Sequence, residues 1–212
     1  MRHDSKRKIC WAIKMPKAMH LPISIGLALV VLTSSLGAQS LTSKYDTRNH
    51  PKAKGVWMTV RYPQDWQAKE GERPNIVQKF VGTYGGVDGI LMLQVKAAES
   101  DIENECKEMS PKDWKEVFEE PNTNILNLRL INHENQPGII FDAIQSQERA
   151  GLTSQTYNRV MNICYKKNMI MAWCGTYEVN SRSSKKVRED MNTLAPLCQQ
   201  YFNSVVLMEK YK

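Results

Sequence analysis

Between residues 125 and 179 the chain is nearly continuous strand text, broken only at short polar turns, and this constrains the fold more than any other feature. Leu126, Leu128 and Leu130 alternate with polar residues, and the turn ENQPG leads into IIFDAIQSQ. A turn around Arg149 to Leu152 leads into TSQTYNRVMNICY, and KKN leads into MIMAWCGTYEV. Apolar residues at every second position turn one strand face inward, and short turns between such runs return the chain antiparallel to itself. The stretch therefore predicts successive hairpins forming an antiparallel meander. Ile140, Ile144, Met161, Ile163, Met169, Met171 and Trp173 give it apolar area on both faces. Its methionines are first of all flexible core fillers.

Before the meander, Val56, Met58 and Val60 alternate with Trp57, Thr59 and Arg61, predicting a strand over residues 56–62 that ends at Pro63, which has no amide hydrogen to donate. Trp66 reads as a lid on the core. The charged KEGERPN segment, with Gly71 and Pro74, reads as a loop, and residues 76–81 as a second strand. Residues 82–89, GTYGGVDG, are followed by strand-like ILMLQVKAA. A phosphate-cradling loop needs a helix there, so this glycine-rich piece predicts a hairpin connection.

Residues 100–109 suit a helical turn carrying Cys106. Ser110, Pro111 and Asp113 then spell a capped helix start, with Trp114, Val117 and Phe118 on one stripe and Pro121 as the stop. After the meander, a helix capped by Ser181 or Ser183 places Val187, Met191, Leu194 and Cys198 at helical spacing and continues to Tyr201, Phe202 and Val205. Pro196 is expected to kink or divide it near Ala195. At about 1.5 Å per residue, this helix returns Cys198 alongside the last strand. Cys198 is then a candidate partner for Cys174 or Cys164, with Cys106 taking the other.

Residues 1–20 are rich in Lys and Arg, residues 25–32 are apolar, and small residues follow. That is the layout of a signal peptide over residues 1–38, with cleavage after Gly37 or Ala38 and an uncleaved signal anchor as the alternative. No cysteine stands at the exit of the apolar run to carry a lipid. The polar residues 39–54, with Lys44, Arg48, His50, Lys52 and Lys54, are expected to be a flexible lead, or else a contact strip for an acidic partner. Residues 55–212 are expected to form a single domain. The net charge of +7 is concentrated in the leader: residues 1–38 hold six basic residues and one acidic, leaving 23 basic and 21 acidic beyond. So small an excess disfavours nucleic acid.

Four cysteines stand after the leader, an even number that favours disulfides in an oxidising compartment and permits three pairings. Zinc is disfavoured, because there is no C-x-x-C and only His50 and His133 are present beyond the leader.

The strand ending in YPQDW, the run NQPGIIFDAIQ to TYNRVMNICYKKNMIMAWCGTYE, and the closing FNSVVL resemble the PsbP/Mog1-like superfamily, which includes DcrB-type exported proteins. The resemblance covers residues 55–207. It implies an α+β chain with one antiparallel sheet of about six or seven strands flanked by helices, an α/β/α sandwich. It also implies a binding or assembly module, without a shared catalytic set. The four cysteines fall outside that superfamily's general pattern.

The sequence contains no G-x-S-x-G, H-E-x-x-H or Walker loop, and no catalytic residue, cofactor or metal is expected. His133 and Glu134 read as a solvated turn pair, and Asp142, if buried, as a satisfied structural acid. The expected function is an exported, monomeric, non-enzymatic domain, periplasmic or extracellular, binding an unidentified protein or small molecule and having no membrane span once the leader is cut. The alternatives are an envelope hydrolase built on His133, Glu134 or Asp142, and the same domain anchored in the inner membrane. The exposed side formed by the two loops, with Lys69, Glu70, Glu72, Arg73, Tyr84 and Asp88, is the expected place for a partner.

Overall fold

A computed structural model describes residues 40–149, 151–180 and 183–212. The described chain runs through β1 (Ser43–Asp46), β2 (Met58–Tyr62), β3 (Gln67–Glu70), β4 (Ile76–Tyr84) and β5 (Val87–Ala97), then α1 (Glu103–Glu108) and α2 (Pro111–Phe118). The meander follows as β6 (Thr123–His133), β7 (Gln136–Arg149), β8 (Leu152–Tyr165) and β9 (Asn168–Val179), and the chain closes with α3 (Lys185–Asn203) and β10 (Val206–Leu207). Seven strands pair in the order β3-β4-β5-β9-β8-β7-β6, antiparallel throughout.

β2, expected to open this sheet, belongs instead to a second sheet of three strands, β1-β2-β10. The flexible lead expected over residues 39–54 is instead part of the fold from Ser43 onward. Ser43 to Asp46 pair in register with Tyr62 to Thr59, and Ala53 is buried in the core. The buried Thr47 hydroxyl donates to the Val56 carbonyl at 2.8 Å and accepts from the Met58 amide at 2.9 Å. Polar residues carry no burial pattern, so backbone pairing of this kind leaves little trace in a sequence.

Side-chain alternation divides the large sheet into two faces. Leu91, Leu93, Val95, Ile170, Ala172, Cys174, Met161 and Ile163 share one core with Val187, Met191, Leu194, Tyr201 and Phe202 of α3 and with Met58 and Val60 of β2. On the other face Ile139, Phe141, Ala143, Val160 and Cys164 pack with Cys106 and the fully buried Trp114. α1 and α2 lie over β6, β7 and β8. The expected α/β/α sandwich is present, with a second helical layer that covers part of the sheet.

The disulfides are Cys106–Cys164 and Cys174–Cys198. The first ties α1 to β8 and the second ties β9 to α3, so each helical layer is stapled to the central sheet.

α2 begins as its sequence dictates. Ser110 Oγ accepts from the Asp113 amide, and the Asp113 carboxylate accepts from the Ser110 amide at 2.8 Å. The hydrogen bonds from Ser110 hold the Asp113 carboxyl below the usual range. α3 has Ser184 at its backbone N-cap position, the expected Ser183 supplies the side chain that accepts from the Lys185 amide at 3.2 Å, and the helix passes through Pro196 undivided. Of the two expected caps, Ser181 lies outside the described residues. A proline removes one backbone hydrogen bond, and the buried Leu194, Leu197 and Cys198 hold the helix on both sides of it.

The hairpin between β4 and β5 turns on Gly85 and Gly86 alone, both at positive φ (59° and 80°), as a two-residue turn of that handedness requires. Trp66 is the expected lid. A Cβ on Gly82 would stand 2.5 Å from its indole, so only glycine lets the ring close over β4.

Candidate functional site

Two adjoining hollows meet beside Trp57. The first, about 650 Å³, is lined by Thr47, Arg48, His50, Trp57 and Lys212 among others. The second, about 600 Å³, is lined by Lys54, Asp101, Tyr165 and Lys167 among others. They share Gly55, Val56 and Glu209, which form the strip between them. Trp57 is held by an indole hydrogen bond to Asp46 at 3.0 Å. The Arg48 guanidinium lies 3.7 Å from the centroid of its ring, and Lys212 Nζ lies 4.8 Å away.

Cations dominate this groove. Arg48, Lys54, Lys166, Lys167 and Lys212 line it against the carboxylates of Asp101 and Glu209. Glu209 is already engaged, accepting from Lys166 at 2.7 Å and from the Tyr165 hydroxyl at 2.9 Å. The Lys166 hydrogen bond holds the Glu209 carboxyl below its ordinary range, against the opposing effect of burial. Tyr165 moves the other way: burial first, and then the bond to Glu209, push its phenol up. Lys54 and Lys167 make no ion pair among the described residues. Such a surface can hold anions through its charge, with Arg48 and Lys212 held in place over the ring.

The wall of the groove is the C-terminal turn, Met208–Tyr211, which is tied down at several points. The Met208 amide donates to the Trp57 carbonyl at 3.0 Å. Glu134 accepts from the Leu207 amide at 2.8 Å and from the Tyr211 hydroxyl at 2.9 Å, and Lys210 reaches the Glu134 carbonyl. His133 Nε2 donates to the Val205 carbonyl at 2.8 Å. The pair expected to be solvated is therefore a clasp on the C-terminus, and the bond to Glu134 raises the Tyr211 phenol.

Asp142 is the satisfied buried acid that its strand position suggested. Arg159 Nε donates to one carboxylate oxygen at 2.7 Å and Nη2 to the other at 3.2 Å, which also accepts from Asn127 Nδ2 at 2.8 Å. Asn127 reaches it from a bulge in β6, in left-handed backbone at φ 54°. The Asp142 carboxylate raises the Arg159 guanidinium, while burial first and Asp142 second raise the Tyr157 phenol.

The residues expected to face a partner do not form one surface. Lys69 and Glu70 belong to edge strand β3 and not to a loop, and Glu70 accepts from Lys52 at 2.8 Å. Glu72 is bonded to Lys79 at 2.7 Å in the following loop, which also carries Arg73. Tyr84 and Asp88 flank the glycine turn, where Asp88 accepts from Thr83 at 3.0 Å. Glu70 pairs with Gln78, six positions before Tyr84 on β4. At about 3.3 Å per residue the two groups are ~20 Å apart, at opposite ends of the sheet. The groove's own residues stand far apart in sequence, and the basic strip at residues 44–54 is the one signal of it the sequence carries. No helix among the described residues is long and apolar enough to cross a membrane.

The fold and this groove place the chain in the class of α/β/α sandwiches with an antiparallel central sheet. Among solved structures it is similar to the solution structure of cyanobacterial PsbP (CyanoP) from Synechocystis sp. PCC 6803, at 11% identity over 78% of this chain and 91% of that one, with a TM-score of 0.44. It is also similar to a crystal structure from Bacteroides thetaiotaomicron VPI-5482, at 13% identity and a TM-score of 0.39, covering 82% of this chain and 51% of that one. This chain thus spans about half the length of the second. No family model matches the chain, and no curated protein matches it.

Proposed function

We propose that this chain is an exported, non-enzymatic binding domain that holds an acidic protein partner in the groove around Trp57. The observation that carries the proposal is the pair Arg48 and Lys212 over a half-buried tryptophan, with Lys54 and Lys167 lining the adjoining hollow. Charge of one sign lining a hollow attracts and orients a partner of the other sign. Export is supported by the basic and apolar leader pattern of residues 1–38 and by the two disulfides, which persist in oxidising compartments. The same leader left uncut would tether the domain to the inner membrane. The alternative, a hydrolase using His133, Glu134 or Asp142, would have to release side chains already bonded within the fold.

An NMR titration with a decapeptide of Glu and Asp tests the reading. The Trp57 indole N–H signal is expected to shift saturably, and the shift should weaken about tenfold in Arg48→Ala/Lys212→Ala, as charge-assisted contacts of this kind require. It should also fall steeply with added salt. A response unchanged in the double variant contradicts the reading, as does turnover of a substrate class that His133→Ala abolishes.

A further inference from the structure

The Asp142–Arg159 pair sits in a hollow of about 250 Å³ lined by Asn127, Arg129, Ile140, Phe141, Asp142 and Arg159, away from the groove at Trp57. A buried ion pair gains little stability over apolar packing, and Ile140 and Ile144, on the same face of β7, bury without one. The burial is also uneven. The Asp142 side chain is 2% exposed and the Arg159 side chain 27%, so the carboxylate lies beneath and the guanidinium at the mouth. Two of the five guanidinium N–H donors are engaged by Asp142, which leaves the others free for the hollow.

Arg129 reaches the same place by a special device. Leu126 pairs with Asp142, and with regular alternation Arg129, three residues on, would point to the opposite sheet face. The bulge between Leu126 and Arg129 inserts one residue, brings Arg129 opposite Ile140, and so turns it to the Asp142 face. Arg129 is exposed and makes no ion pair among the described residues.

We propose that this hollow binds a compact oxyanion, the carboxylate or phosphate group of a small ligand, between Arg129 and the outward edge of Arg159. Asp142 is the positioning residue: its two-point grip fixes the plane of the Arg159 fork, and Asn127 fixes Asp142 in turn. The planar fork suits two-point recognition of an oxyanion. The site is separate from the proposed groove and stands or falls independently of it.

The test is an NMR titration of the oxidised protein with sodium succinate and, separately, with inorganic phosphate, at constant ionic strength set by sodium chloride. The Arg129 and Arg159 Nε–H signals and the Asn127 side-chain amide are expected to shift saturably with at least one of the two, and the stronger response identifies the oxyanion. Arg129→Ala is expected to weaken that response about tenfold. Arg129→Gln, which keeps most of the stem, serves if the alanine variant disturbs the bulge. The absence of a saturable shift with either anion overturns the proposal, as does a response that both Arg129 variants leave unchanged.

Discussion

Tyr201 is fully buried in the α3 core, and its hydroxyl has no hydrogen-bond partner among the described residues. An unsatisfied buried hydroxyl costs about 1–3 kcal/mol, so Tyr201→Phe is expected to stabilise the domain by about 1 kcal/mol, read as a higher urea midpoint at unchanged slope. Burial also pushes the Tyr201 phenol far up. Stability is therefore unaffected by this phenol below the unfolded value of about 10 and falls as pH rises beyond it, because only the unfolded chain can ionise it there. Asp142 has the opposite sensitivity to substitution. Asp142→Ala removes the acceptor for both Arg159 and Asn127, and the midpoint is expected to fall by the equivalent of about 3 kcal/mol. Glu209, with its carboxyl held down by Lys166, gives the C-terminal clasp an acid limit. Its contribution is complete above the unfolded value of about 4.3 and fades as pH falls through the lower folded value. Hydrogen exchange at the Met208 and Leu207 amides should accelerate over that range before the central strands respond; simultaneous loss of protection in both would contradict it.

The disulfides act on whole elements. Cys106–Cys164 closes a loop of 58 residues and Cys174–Cys198 one of 24. By loop entropy these correspond to ~4 and ~3.5 kcal/mol respectively. Cys106→Ser/Cys164→Ser is expected to lower the melting temperature by about 10 °C and to expose Trp114 as α1 and α2 loosen, which its fluorescence reports. Much at this scale is legible in the sequence: the meander, the α2 start at Ser110–Asp113, the α3 stripe and the pool of four cysteines all follow from local pattern. Other parts are not. β1 (SKYD) and β3 (QAKE) are short edge strands with polar or fully exposed residues, and β3 has no buried face at all. Such strands form because a neighbour offers a free backbone ladder, which alternation cannot reveal. β2 does alternate, but alternation does not say which sheet a strand joins. The groove at Trp57 is less legible still, because residues 48, 57 and 212 line one hollow and residues 54 and 167 the adjoining one, all far apart in sequence.

At the scale of the whole molecule, the two sheet faces differ. α3 and the small sheet close one, while α1 and α2 cover β6 to β8 on the other. On the remaining part Ile90, Met92 and Trp173 are only half-buried, and Tyr177, Val179 and Leu152 are about half exposed. Both helical layers are stapled to the central sheet, and such staples persist in oxidising compartments. The two disulfides are consistent with the proposed export. The direct measurement is a non-reducing peptide map, with intact mass, of the full-length chain expressed with its own leader and recovered separately from the cytoplasm, the cell envelope and the culture fluid. Linked peptides joining Cys106 to Cys164 and Cys174 to Cys198, on a chain beginning at Ala38 or Gln39, are the expected result; a chain that keeps residues 1–38 in the envelope would mark the anchored form. A cytoplasmic chain in which Cys106, Cys164, Cys174 and Cys198 are all free thiols, or cysteines paired in any other way, would contradict it.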